Sequence, residues 1–128
     1  MEILGIGVDI IKNSRIKKLI KNRKFINRIY SKQEIKNSKN IYSKTAFFSK
    51  RFAAKEAFSK ALGTGFRKGI NFNDISVIND KNGKPKLKIS NKLTNIIEKK
   101  FNTKKLNFFL SISDEKLNSI AFVIIEKK

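Results

Sequence analysis

Ten carboxylates stand among thirty basic residues in this 128-residue chain, whose formal net charge is +20. Two of the ten occupy settings that a solvated surface charge does not need. Asp9 lies between Val8 and Ile10 inside the apolar run Ile3-Leu-Gly-Ile-Gly-Val-Asp-Ile-Ile11. Burying an unpaired charge there is strongly unfavourable, so Asp9 must meet a cation, a metal or several N–H donors. Glu56 shares a helical face with Ser59, Lys60 and Gly63, which follow it at i+3, i+4 and i+7. Two chemistries fit these residues. In the simpler one, Asp9 caps the next helix or pairs with a lysine, and Glu56 and Lys60 form an i,i+4 surface pair contributing about 0.3–0.5 kcal/mol. In the other, the two carboxylates hold Mg²⁺, which keeps waters and binds substrate phosphate, while Lys60 and the glycine turn receive the rest of a diphosphate. Ser59 reads as a helix-face hydroxyl, because no base stands near it in sequence.

Missing residue types narrow the chemistry further. The chain has no His and no Cys, which excludes Ser-His-Asp catalysis, His-ligated zinc, thiolate metal sites, Cys nucleophiles and disulfides. Neither Gly5-Ile6-Gly7 nor Gly63-Thr64-Gly65 extends to a P-loop or to G-x-G-x-x-G. Taken alone, Gly63-Thr64-Gly65 is a helix C-cap. A helix C-terminus repels anions through its dipole, so a phosphate there needs Lys60, a metal and turn amides to outweigh that term.

A +20 charge points first to nucleic acid, an anionic membrane or an acidic protein. Of the thirty basic residues, however, 25 are Lys and five are Arg, and Lys, Ile and Asn fill 59 of 128 positions. Arg does most bidentate phosphate and base readout, and AT-rich coding produces this bias without selection for charge. The longest uncharged runs, 106–113 and 117–125, have eight and nine residues, far short of a bilayer span. With no basic segment opening the chain, the expectation is a soluble cytoplasmic protein.

The elements that must position these residues follow from periodicity. Residues 3–11 read as a strand, with Leu4, Ile6, Val8 and Ile10 on one face and Ile3, Gly5, Gly7 and Asp9 on the other. The two glycines leave a strip of bare backbone that another element or a ligand can approach. From Asn13 or Ser14 as N-cap, Ile16, Leu19 and Ile20 mark a helix bearing Arg15, Lys18 and Lys21. A short helix is expected around Lys24–Tyr30, and Ser31-Lys-Gln-Glu34 has capping-box spacing for another. The Ala-, Lys- and Phe-rich stretch 44–62 predicts the longest helix, stopped by Gly63. Ile70 to Ile78 and Leu87 to Ile89 predict two strands around the turn 79–85. Ser90 caps a helix to Phe101, and 106–113 with 118–126 predict a final hairpin. Clustered helices and paired strands indicate a single α+β domain over residues 1–128, with antiparallel sheet around a long central helix.

Taken together, Ile3 to Ile10, Ser14-Arg15-Ile16, Lys50-Arg-Phe-Ala-Ala-Lys-Glu56-Ala57, Lys60-Ala-Leu-Gly-Thr-Gly65, Asn79-Asp80 with Gly83-Lys84-Pro85, and Ser111-Ile112-Ser113 resemble the holo-[acyl-carrier-protein] synthases of the 4'-phosphopantetheinyl transferase superfamily. The resemblance covers essentially the whole chain in order. It implies transfer of the 4'-phosphopantetheine arm of coenzyme A to a serine of apo-acyl carrier protein in fatty acid biosynthesis, with release of adenosine 3',5'-bisphosphate. It further implies that Asp9 and Glu56 bind Mg²⁺, that Glu56 and Lys60 are catalytic, and that Lys60, Gly63, Gly83 and Pro85 line the coenzyme A cleft. Arg15 matches a family arginine, and Lys18 and Lys21 extend its basic face toward an acidic carrier protein. The family implies a homotrimer with active sites between neighbouring subunits. One departure is Asp114, which stands where many members have His, so no role of that His carries over. The alternative is a small basic RNA- or DNA-binding domain, for which no RNP, KH or zinc-finger pattern is present.

Overall fold

The computed structural model describes residues 1–63 and 70–128. In chain order the elements are β1 (Glu2–Lys12), α1 (Asn13–Leu19), α2 (Arg23–Ile29), α3 (Lys32–Ser38), α4 (Lys44–Leu62), a 3₁₀ turn (Phe72–Asp74), β2 (Ile75–Asn79), β3 (Pro85–Ile89), α5 (Asn91–Phe101), β4 (Leu106–Asp114) and β5 (Asn118–Lys127). Strands β1, β5 and β4 form one antiparallel sheet in that order, and β2 pairs with β3 in a second. The α+β architecture with a long helix is as expected.

Helix α4 is buried almost all round, because the sheet covers one side and α1, α3 and β2 contact others. Its contact with β1 depends on glycine. A Cβ on Gly5 would overlap the Ala61 carbonyl oxygen, and one on Gly7 would overlap the Ala57 carbonyl oxygen. The bare strip is therefore a seat for the helix, and Ala57 and Ala61 keep the helix side equally thin. Around this seat the core is filled by Phe58, which packs near Phe108, and by Val123, Ile125, Leu93 and Ile97.

Strand β1 turns its apolar residues the other way. Ile6, Val8 and Ile10 are exposed, whereas Gly7 and Ile11 are buried. A register shift between Ile3 and Gly5 breaks the simple alternation, so Leu4 packs against the core and Ile3 is exposed. Across the sheet the register aligns Ile6, Ile124 and Phe109 in one row, then Val8, Phe122 and Ser111, then Ile10, Ile120 and Ser113. The outer face is thus apolar across β1 and β5, with Phe109 extending it onto β4 and Ser111 and Ser113 at its edge.

Other differences have local causes. Asn13 is the first residue of α1 rather than its cap. Its amide donates to the Glu115 and Lys116 carbonyls, and its side-chain oxygen accepts from Ser119 Oγ at 2.7 Å, pinning the β4–β5 turn. Helix α1 ends at Leu19, leaving Lys21 in the following turn. Strand β2 begins at Ile75, since Asp74 Oδ2 accepts from the Asn71 N–H and closes the 3₁₀ turn. The Ser31–Glu34 capping box and the Ser90 N-cap form as their spacings predict, and Ser43, which the sequence reading did not single out, caps α4. Among the described residues, no helix is long and apolar enough to cross a membrane.

Candidate active site

The glycine seat fixes which residues of β1 and α4 can meet. Beyond Gly7, the next inward position of the strand is Asp9. On the helix, the residues preceding Ala57 and Ala61 are Glu56 and Lys60. Lys60 Nζ lies 3.1 Å from Asp9 Oδ1. The Lys60 side chain is 56% exposed and that of Asp9 only 17%, so a cation from the rim reaches down to a carboxylate below it.

Glu56 is half-buried beside this pair. Its proton affinity is raised above the ordinary carboxylate value, first by burial and then by the negative charge of Asp9, with Lys60 and Arg15 opposing. Asp9, Glu56, Lys60 and Arg15 therefore share one electrostatic neighbourhood. Arg15 also lies over the Phe52 ring, 5.8 Å from its centroid, which places it at the edge of the site. Its sequence gave only a carrier-facing role; the signal for this one is that α1 starts directly after the strand bearing Asp9. Ser59 is buried and does not share the open face of Glu56 and Lys60.

The donor set fits a hard divalent cation. Two carboxylates from different elements stand close enough to raise the proton affinity of one, which a cation between them would relieve. Among the described residues, no group of three His, Cys, Asp or Glu gathers as a metal cage. Mg²⁺ takes one or two carboxylates and completes its shell with water and substrate phosphate, so Asp9 and Glu56 have the donor chemistry to hold it.

The remaining candidates fall in different places. Gly63 ends α4 with φ 78°, its N–H bonding the Ser59 and Lys60 carbonyls at 3.1 Å, and a side chain there would meet open space. Thr64 and Gly65 lie outside the described residues. Gly83, with φ 81°, and Pro85 are at the β2–β3 turn. There Asp80 Oδ1 accepts from the Asn82 and Lys84 N–H groups at 2.8 and 2.9 Å. Pro85 borders a groove of about 460 Å³ with Leu87, Phe108, Phe109, Phe122 and Ile124. Asp9 and Glu56 do not line that groove. A larger cavity, about 750 Å³, also excludes them and lies beside α1, lined in part by Ser14, Lys17, Thr45, Asp114 and Lys116. Arg15 and Lys18 are exposed on α1, and Lys21 is exposed just beyond it.

Two further ionic residues lie underneath. Lys55, next to Glu56, is fully buried and paired with Glu34 at 2.7 Å. The sequence signal for Lys55 is its place one turn from Arg51 and three residues before Phe58, on a helix side that is otherwise apolar and aromatic.

The antiparallel sheets and the long helix agree with comparison to known proteins. Residues 5–120 match the 4'-phosphopantetheinyl transferase superfamily, and the chain belongs to that family. It is 59% identical, over the full length of both chains, to the holo-[acyl-carrier-protein] synthase of Pelagibacter ubique. Among solved structures it resembles the holo-[acyl-carrier-protein] synthase of Neisseria meningitidis, with TM-score 0.89 and 37% identity over 98% of this chain and 99% of that one. It also resembles the Bacillus anthracis holo-(acyl-carrier-protein) synthase in complex with CoA (3',5'-ADP), with TM-score 0.83 and 39% identity over 100% of both chains.

Proposed function

We propose that this chain, acting as one domain over residues 1–128, transfers the 4'-phosphopantetheine arm of coenzyme A to a serine hydroxyl of an apo-acyl carrier protein for fatty acid biosynthesis. The observation that carries this reading is the convergence of Asp9 from β1 with Glu56 and Lys60 from α4. The relatives named above bear the same activity in their names. A nucleic-acid-binding domain would leave that convergence without a use.

In the reaction, the serine Oγ forms a bond to the β-phosphorus of coenzyme A. The bond from that phosphorus to the bridging oxygen breaks, and adenosine 3',5'-bisphosphate leaves with the oxygen. Asp9 and Glu56 would hold Mg²⁺, which when bound neutralises charge on the diphosphate. Lys60 is exposed enough to turn from Asp9 to a phosphate oxygen, adding a positive charge where negative charge grows. Glu56, half-buried beside Asp9 and Lys60, is the carboxylate we assign to take the serine proton. Gly63 bounds the cleft at the end of α4. Arg15, Lys18 and Lys21 present positive charge to an acidic carrier, with Arg15 linking that surface to the reacting carboxylates.

A homotrimer accounts for the separation of Gly83 and Pro85 from Asp9 and Glu56. The exposed rows around Val8, Ile10 and Phe122 form a face that water disfavours, and other copies of the chain are its occupants. The hairpin tip carrying Gly83 and Pro85 then completes the coenzyme A cleft of a neighbouring subunit. The setting is the cytoplasm, in keeping with a fold that uses no cysteine.

The test is incubation with coenzyme A, Mg²⁺ and an apo-acyl carrier protein, followed by intact-mass spectrometry of the carrier. The expected result is the added phosphopantetheine with wild type and at least about a hundredfold slower modification with Asp9→Asn or Glu56→Gln. No mass gain with folded wild-type protein contradicts the reading.

A further inference from the structure

Glu34 and Lys55 are the most deeply buried ion pair among the described residues, with both side chains fully shielded at 2.7 Å. Their bonding is complete. Glu34 Oε1 accepts from the Ser31 N–H and Oε2 from the Val77 N–H, each at 2.9 Å. The Lys55 ammonium donates to the Phe72 carbonyl at 3.0 Å and to the Ile75 carbonyl. With the carboxylate of Glu34, these acceptors use all three ammonium protons.

Stability alone does not call for such a pair. Apolar side chains of similar volume often replace a buried ion pair at equal or greater stability. What they cannot supply is a set of directed bonds that fixes segments in register. Here α3 contributes Glu34, α4 contributes Lys55, and β2 is gripped near its start through the Ile75 carbonyl and the Val77 N–H. The hairpin then runs outward to Gly83 and Pro85. Five strand residues span about 17 Å, so a tilt of about 5° at the gripped end displaces the tip by roughly 1.5 Å. A misplacement of about 1 Å can cost a hundredfold in a positioned reaction.

We propose that the buried Glu34–Lys55 pair is a positioning device for the coenzyme A cleft, holding the β2–β3 hairpin in fixed orientation on the helix that bears Glu56 and Lys60. This rests on the reading of Gly83 and Pro85 as coenzyme A contacts. Lys55 touches no substrate; it acts through the hairpin.

The test compares the paired variant Glu34→Leu/Lys55→Met and the single variant Glu34→Gln with wild type. Thermal midpoint, kcat, and KM for coenzyme A and for carrier protein are measured on each full chain. The paired variant is expected to melt below wild type, because it leaves the Ser31 and Val77 N–H groups and the Phe72 and Ile75 carbonyls without these partners, and it is assayed below its own midpoint. Its KM for coenzyme A is expected to rise about tenfold, with kcat and carrier KM within about twofold. Calorimetric affinity for adenosine 3',5'-bisphosphate should fall in parallel. A folded paired variant with wild-type KM for coenzyme A overturns the proposal. Should the paired variant not fold, Glu34→Gln decides: it retains an acceptor for Val77 but loses the carboxylate under Lys55, and an unchanged KM overturns the proposal equally. A wild-type chain that neither transfers nor binds coenzyme A overturns the underlying reading as well. Wild-type transfer with unmoved variants overturns the positioning role alone.

Discussion

The Lys60 ammonium stands 3.1 Å from Asp9 Oδ1, so the strand carboxylate is already paired to a cation that comes from the same helix as Glu56. One group then has two competing partners: Asp9 and a phosphate. Lys60→Met should raise the KM for coenzyme A about tenfold by removing a charge-assisted contact. It should also strengthen binding of Mn²⁺ alone, because Asp9 loses its internal counter-ion. Calorimetric titrations with and without coenzyme A check both signs. Weaker Mn²⁺ binding without coenzyme A would show that Lys60 does not compete at Asp9.

Glu56 makes stability depend on pH in a definite direction. Burial and Asp9 raise its proton affinity in the folded chain above the ordinary value of 4.5. Over the range from that value up to the folded one, the folded state holds a proton that the unfolded state has lost, so this group's contribution to stability falls as pH rises. Replacing Glu56 by Gln removes the dependence. The variant should match wild type in acid, below the ordinary carboxylate range, and become the more stable protein toward neutral pH. Chemical denaturation across that range checks this; a variant less stable at pH 7 would contradict it.

Gly7 sets the distance between the strand and the helix. In Gly7→Ala, the added methyl overlaps the Ala57 carbonyl oxygen, and the forced shift should cost about 1–3 kcal/mol. The same shift separates Asp9 from Glu56, so kcat should fall even at temperatures where the variant is folded. Thermal melts and steady-state rates measured together check both. A stable variant with full activity would mean that the seat does not set the site.

The outer sheet face gives a separate prediction. Val8→Glu places a charge in the row with Phe122 and Ser111. It should turn the proposed homotrimer into monomers by light scattering and remove most transferase activity, although Asp9 and Glu56 stay intact on the inner side. A monomeric variant with wild-type activity would contradict a cleft completed by a neighbour.

Most elements were legible because their signals are local. Ser31 and Glu34, Ser90 and Leu93, and the uninterrupted stretch 44–62 each carry their own end markers. Asp9 and Glu56 stand out because carboxylates are scarce, Asp9 sits inside an apolar run, and Glu56 shares helical spacing with Ser59, Lys60 and Gly63. Less legible was whatever depends on a distant partner. Alternation alone could not say that the glycine side of β1 faces inward, because that follows from α4 lying on it. Asn13 looks like a cap until the β4–β5 turn offers it carbonyls 102 and 103 residues away. Lys55 looked like one more lysine in a lysine-rich chain, since its acceptors come from α3, the 3₁₀ turn and β2. Gly83 and Pro85 share motifs with the site residues but not their location, which sequence order does not encode.

The central claim is that Asp9 and Glu56 together hold the metal that meets the coenzyme A diphosphate. Anomalous diffraction from crystals grown with coenzyme A and Mn²⁺ tests it most directly. The prediction is one manganese peak shared by the Asp9 and Glu56 carboxylates of a single chain and touching the diphosphate. A diphosphate bound with no metal between those carboxylates, or a metal held elsewhere, would contradict it.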